Sequence, residues 1–462
     1  MTPSPHRLSG ELFDAIAAGG GGAEAMRLLA RAEHSRRLAC LYAIRTAARE
    51  AGGAVAQTVE SAWELLETVH RADPGAATAV LTHPAAGPAL VGLLARLRRR
   101  PDGADAPAHL LTALAAAAAV RARVPARVRW PLAGPGPWAA LPSLGRAHFP
   151  GARPGDPVEL RVGTAGRASI AMADAPVARA RVPVPVPGDP YPGGDRWRGP
   201  RPLAAFDTGA TLALDILDPP SFPAAAARAV HPDAEEAHRW AVVARAGCAL
   251  LRADHPRAHA ELAAGPWLLV PLRAPARGIV SGSSAETFGS MALSLPPNGT
   301  VLAVTMAHEA QHNKFAALLH LFDLFEEVRE GPEERYYAPW RPDPRPLVGL
   351  FHGAYAHLAV AQFWGRRGEA EPDPAQRALA HTRFARWRSG AREATAVILD
   401  SGRLTPLGLR FAGRMLETLD GMCRVPLPGS AVRRAETAAR EHLEAWRDAA
   451  GSTRAPTAGR AS

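Results

Sequence analysis

The chain has 462 residues, 47% of them hydrophobic, with three cysteines and a formal net charge of +10. Length and apolar content exclude an intrinsically disordered chain and suggest two or three units of ordinary domain size. Cys40, Cys248 and Cys423 lie far apart, with no CxxC pair and no disulfide framework, so a reducing, cytoplasmic setting is expected.

The basic excess would ordinarily point to nucleic acid. Lys314 is the only lysine, however, so nearly all of the 54 basic residues are Arg, in an Ala-rich chain with 42 Gly and 44 Pro. That pattern reads as the coding bias of a GC-rich genome. The densest basic run, Arg96 to Arg100, is short and has no interleaved aromatic for base stacking, so no nucleic-acid partner is expected. The start, MTPSPHRLSG, lacks an apolar signal core. The longest near-apolar run, Leu110 to Val120, is too short and Ala-rich to cross a bilayer, so no membrane partner is expected either.

Residues 1–125 read as an N-terminal helical region. Leu8, Leu12 and Ile16, then Met26, Leu28, Leu29, Leu38, Leu41 and Ile44, recur at helical spacings, with Gly19 to Gly22 as the turn between two helices. Further helices are expected near 54–72, 86–100 and 106–122. Residues 126–220 are dense in Pro and Gly, with strand-like runs at 158–162, 168–172, 180–186 and 211–217. Because Pro cannot donate to a ladder, this region predicts a small, irregular β layer.

Residues 221–450 read as a metal-binding catalytic region. Helix returns at 221–264, including 234–251, and strands at 267–272, 278–283 and 291–295 lead into the stretch 301–325, VLAVTMAHEAQHNKFAALLHLFDLF. A polar, Pro-rich loop at 330–346 follows, then helices at 347–364, 374–398, 406–422 and 430–449. The tail 451–462 reads as disordered.

Within 301–325, a run without Gly or Pro, lies His308-Glu309-Ala310-Gln311-His312. At about 100° per residue the two histidines leave the helix roughly 40° apart, on one face. Two imidazoles one turn apart can grip one metal ion, and Glu309 stands beside them to handle a proton or orient a water. Phe315, Leu319 and Phe322 continue that side. A catalytic metal needs a third protein ligand with open positions left over. Phe315 and Leu318 occupy the offsets where a metzincin carries Gly and His, which excludes that class. Glu333 or Glu334 would suit a gluzincin, but both lie in a charged loop. His352 is the better candidate, because Gly353, Ala354 and Ala356 beside it let its helix approach another closely. His357 competes, roughly 140° round the helix from His352, so the two are not expected to share an ion. The expected fold is α+β, mostly α-helical, with a zincin-like HExxH core, a small β layer and flanking helical bundles.

The segments LALDILDPP (212–220), FGSMALSLP (288–296), AHEAQHNKFAALLHL (307–321) and WRPDPRPLVGLFHGAYAHLAVAQFW (340–364) resemble the actinobacterial HEXXH-motif family of peptide-modification proteins. HSRRLACLYAI (34–44) is similar to that family as well. The resemblance implies iron(II)- and 2-oxoglutarate-dependent β-hydroxylation of a ribosomally synthesised precursor peptide. It implies histidine at the place of His352 and an apolar residue near that of His357. His308, His312 and His352 would leave three octahedral positions on iron, two for the keto-carboxylate and one for oxygen. Arg345, or in second place Arg341, would take the distal carboxylate through its planar fork. Glu309 would steer a histidine or a proton. This three-histidine set departs from the usual two-histidine, one-carboxylate triad. The motif by itself also suits a zinc metallopeptidase that removes a leader peptide, with Glu309 as general base, and a non-catalytic peptide-binding scaffold is the third reading.

Overall fold

The computed structural model describes residues 6–99, 105–133, 136–175, 179–183, 196–216, 232–265, 267–276, 278–327 and 334–452. The expected strand residues 184–186 and 217, residues 221–231 of the stretch 221–264, Glu333 and tail residues 453–462 lie outside the described residues.

The helical opening is α1 (Gly10–Ala17), α2 (Gly22–Ala51), α3 (Gly53–Ala72), α4 (Pro74–Leu81), α5 (Ala86–Arg99) and α6 (Asp105–Ala122). Helix α4, only two turns long, was not expected. Its start is set by Asp73, whose carboxylate accepts the Ala76 N–H at 3.0 Å, and by Pro74 in the first helical turn. The strands β1 (Ala126–Pro131), β2 (Trp138–Leu141), β3 (Gly145–His148), β4 (Pro157–Val162), β5 (Ala168–Met172), β6 (Arg179–Val182), β7 (Trp197–Arg198), β8 (Arg201–Ala205) and β9 (Thr211–Leu214) follow. Next come α7 (Ala234–Asp254), α8 (Pro256–Leu262), β10 (Trp267–Leu272), β11 (Ser281–Gly282), β12 (Ser290–Ser294), α9 (Gly299–Leu319), β13 (Arg335–Tyr336) and β14 (Arg345–Pro346). Helices α10 (Leu347–Ala370), α11 (Pro374–Asp400), α12 (Pro406–Cys423) and α13 (Gly429–Ser452) close the chain. The fold is mixed α and β, and mostly helical. No single described helix is long and apolar enough to cross a membrane.

The chain divides into two compact units, each assembled from separated stretches. The first holds Met1–Leu28, Ala246–Ala264 and Pro297–Ser462; the second holds Leu29–Arg245 and Gly265–Pro296. The motif helix α9 therefore belongs to the first unit, and the strands that precede it in sequence belong to the second.

In the second unit, β1-β4-β5-β6 form a four-stranded antiparallel sheet. One face of it carries Val158, Leu160, Val162, Ile170, Ala180 and Val182, all buried in one core with the Ala-rich α6, whose residues Leu114 to Val120 are fully covered. A second sheet, β11-β12-β10-β9-β8, is parallel at its centre and antiparallel at both edges. The β region is more regular than its Pro content implies, because several of its prolines sit at strand ends or beyond a pairing, while Pro202 of β8 lies beside a shift of register. Pro131 pairs with Pro157 at the last register of β1 and β4. Pro271 lies in β10, yet it follows Leu269, whose carbonyl accepts the Asp215 N–H on the β9 side, and β9 pairs no further along.

The first unit is built around aromatic side chains. Phe315 of α9 meets Phe351 and Tyr355 of α10 with ring centroids 4.8 and 5.5 Å apart, and Phe411 of α12 touches all three. Each such fully buried side chain contributes about 1.5–3 kcal/mol. On α12 the buried positions Phe411, Ala412, Met415 and Leu419 fall on one helical face. Helix α9 stops at Leu319, short of the expected 325, although nothing in the sequence breaks it. The following segment is drawn into pairing with 403–405: Glu326 N–H bonds the Arg403 carbonyl at 2.9 Å and the Thr405 hydroxyl donates to the Asp323 carbonyl at 2.7 Å.

Candidate metal centre

Helix α9 starts at Asn298, whose side chain accepts the Val301 N–H at 3.0 Å. Its far side is held to the turn between α1 and α2. Gln311 Nε2 donates to the Gly19 carbonyl at 2.8 Å, and Lys314 Nζ donates to the Gly20 carbonyl at 2.9 Å and to Glu261 Oε2 at 2.8 Å. Glu261 also accepts the Gly22 N–H at 3.1 Å. Gly19 and Gly21 sit at φ +84° and +101°, where a side chain is strained, and a Cβ on Gly21 would come within 2.6 Å of Ala25. The glycine run is thus what brings the carbonyls close enough to grip the helix.

The near side presents the histidines. His308 Nε2 and His312 Nε2 lie 3.1 Å apart, with ring centroids separated by 4.7 Å. Two nitrogens each about 2.1 Å from one ion and at right angles stand roughly 3.0 Å apart, so the pair fits two adjacent positions of a single ion. Burial lowers the pKa of both; neighbouring His308, His352, His357 and Arg345 push His312 further down. Both imidazoles are therefore neutral, which is the form that binds a metal. Glu309 is 1% exposed, with Oε1 3.9 Å from His308 Nε2.

Helix α10 brings an imidazole to each end of the pair. His352 lies 5.8 Å from His312 ring to ring, against the edge of Phe315, and burial with the Arg345 charge pushes its pKa down to about 4. His357 lies 5.0 Å from His308 at the other end. Its Nδ1 sits 2.9 Å from the Gly353 carbonyl, so that nitrogen carries the proton and donates, leaving a lone pair on Nε2. Trp340 stacks on this ring at 4.4 Å and 14°, and Trp387 packs at 4.9 Å. The sequence set His352 and His357 as competitors; the structure places them as flanks of one pair. Among the described residues, no three His, Cys, Asp or Glu side chains converge on one point as they stand.

Gly353 does make room, but for a side chain of the preceding loop: a Cβ there would lie 2.4 Å from the Trp340 indole. Arg345 lies along Gly349, contacts Asp343 at 3.4 Å, and its charge acts on both His312 and His352. Arg341 is half exposed and turned to Asp343 at 2.8 Å. Glu334 is exposed and accepts the Tyr336 hydroxyl at 2.6 Å. In the sequence Trp340 is one residue of the Pro-rich 330–346 loop, and Trp387 carries no local signal at all.

Comparison of the chain with models of known protein families finds no match, and comparison with curated proteins finds none.

Proposed function

We propose that this protein is a metal-dependent enzyme acting on a peptide, with a zincin-like HExxH core and, in its specific form, iron(II)- and 2-oxoglutarate-dependent β-hydroxylation of a ribosomally made precursor peptide, as in the HEXXH-motif family it resembles. The observation that carries the reading is the 3.1 Å separation of His308 and His312 Nε2 on one buried helix face. His308, His312 and His352 would hold the metal, which with 2-oxoglutarate and oxygen supplies the oxidising power for a C–H bond. Burial keeps these imidazoles neutral and ready to coordinate. Arg345, beside the His312–His352 end, would pair its fork with the distal carboxylate of the cosubstrate. Trp340 and Trp387 close off His357 at the opposite end and keep water from that side. Glu309 would orient a histidine or hold a proton. Three free cysteines suit a reducing cytoplasm, which also keeps iron(II) reduced.

Glu309, 3.9 Å from His308, favours a second reading, a zinc peptidase with this carboxylate as general base. Anaerobic addition of iron(II) and then 2-oxoglutarate separates the two. The expected result is a weak visible charge-transfer band in the wild type that is absent from His308→Ala. Absence of the band, with tightly held zinc and peptide cleavage lost in Glu309→Gln, overturns the hydroxylase reading in favour of the peptidase.

A further inference from the structure

The outer face of the β1-β4-β5-β6 sheet is unlike the rest of the second unit. Register alignment sets two rows across it: Arg127, Arg161, Ser169 and Arg181 in one, Arg129, Glu159, Ala171 and Arg179 in the other. Five arginines and one glutamate give this face a net charge of +4. Glu159, 6% exposed, is ringed by Arg127 at 3.0 Å, Arg129 at 2.5 Å and Arg161, which are 62%, 58% and 54% exposed. Among the described residues Arg179 and Arg181 are exposed and have no carboxylate partner. The carboxylate therefore fixes three guanidiniums in place and leaves the excess charge facing solvent.

The face also has relief. Ser169 and Ala171, small residues of β5, form the floor of a trough, with Glu159 and Arg161 of β4 on one wall and Arg179 of β6 on the other, around a depression of about 30 Å³. Strands two apart lie roughly 9.6 Å from each other, and side chains on one face of a strand repeat every roughly 6.8 Å. An extended polypeptide with a carboxylate at every second residue has the same repeat, so its acidic side chains would meet successive arginine rows.

We infer that this trough binds an extended acidic peptide segment of a partner protein. Charge and the 6.8 Å repeat alone would also admit a single-stranded nucleic acid. That occupant is disfavoured by the floor and walls, which are Ser, Ala, Met, Arg and the arginine-ringed Glu159 and offer no aromatic ring for a base; the sheet's Trp130 is buried. Bidentate guanidinium–carboxylate pairing is the recognition chemistry available. The inference does not depend on the metal centre, since binding is read without turnover.

The test is fluorescence anisotropy of the full chain with a labelled peptide of alternating Glu and Ser. Binding should weaken at least tenfold from low salt to about 0.3 M, as exposed charges are screened. The Arg161→Glu/Arg181→Glu variant should lose binding at least tenfold, while the control Arg433→Glu/Arg440→Glu, on α13, leaves it unchanged; circular dichroism verifies folding of both. Equal loss in the control, or binding unaffected by the trough variant, overturns the inference. Tighter trough-dependent binding of a deoxythymidine oligonucleotide of equal charge overturns it in favour of nucleic acid.

Discussion

At position 353 a hydrogen stands where any other residue would put a carbon 2.4 Å from the Trp340 indole. Gly353→Ala should therefore destabilise the first unit by about 1–3 kcal/mol through overpacking. It should also lift Trp340 off His357, read as a lower denaturation midpoint with a shifted tryptophan emission in the native state. At this scale the sequence is legible where chemistry and spacing coincide: His308 and His312 share a helix face by arithmetic alone. The same arithmetic is silent on where His357 lies. An angle measured around α10 says only that two histidines diverge, while the pair on α9 is long enough to be met at both ends.

Between elements, the main tie of α9 to α8 is the Lys314–Glu261 pair, with Lys314 fully buried. Burial pushes the lysine pKa down and the glutamate pKa up, and their mutual attraction opposes both shifts. Lys314→Met should cost about 3–5 kcal/mol by stranding the carboxylate, and Lys314→Met/Glu261→Met should recover most of it. Urea titration of the three proteins checks this; additive losses in the double variant would rule out pairwise coupling. Long helices such as α10 and α11 could be read from periodicity, and their ends from caps such as Asp373, which accepts the Gln376 N–H at 2.8 Å. The far end of α9 could not, because a pairing that reaches 82 positions along the chain ends it. Strands β1, β2, β3 and β8 went unread because Trp, Pro and Arg obscured their alternation.

Across the whole molecule, buried neutral histidines couple stability to pH. Burial holds His83 of the second unit down to about 3 and His255 of the first, stacked on Phe363 at 4.2 Å, down to about 4. Both lie below the unfolded value near 6.5, so their contribution is complete above pH 6.5 and is lost as pH falls toward 3–4. The slope is about 1.4 kcal/mol per pH unit for each group within that window. Denaturation midpoints at pH 7, 5.5 and 4.5 should fall steadily, and less steeply in His255→Gln. The two-unit assembly itself was not legible, because reading along the chain cannot see that residues 1–28 and 246–264 join residues 297–462. Lys314 is the sole lysine in 462 residues and is fully covered. The folded surface offers no side-chain amine, so acylating reagents and amine cross-linkers will find that lysine only when the first unit opens, and its acylation becomes a one-site reporter of that opening.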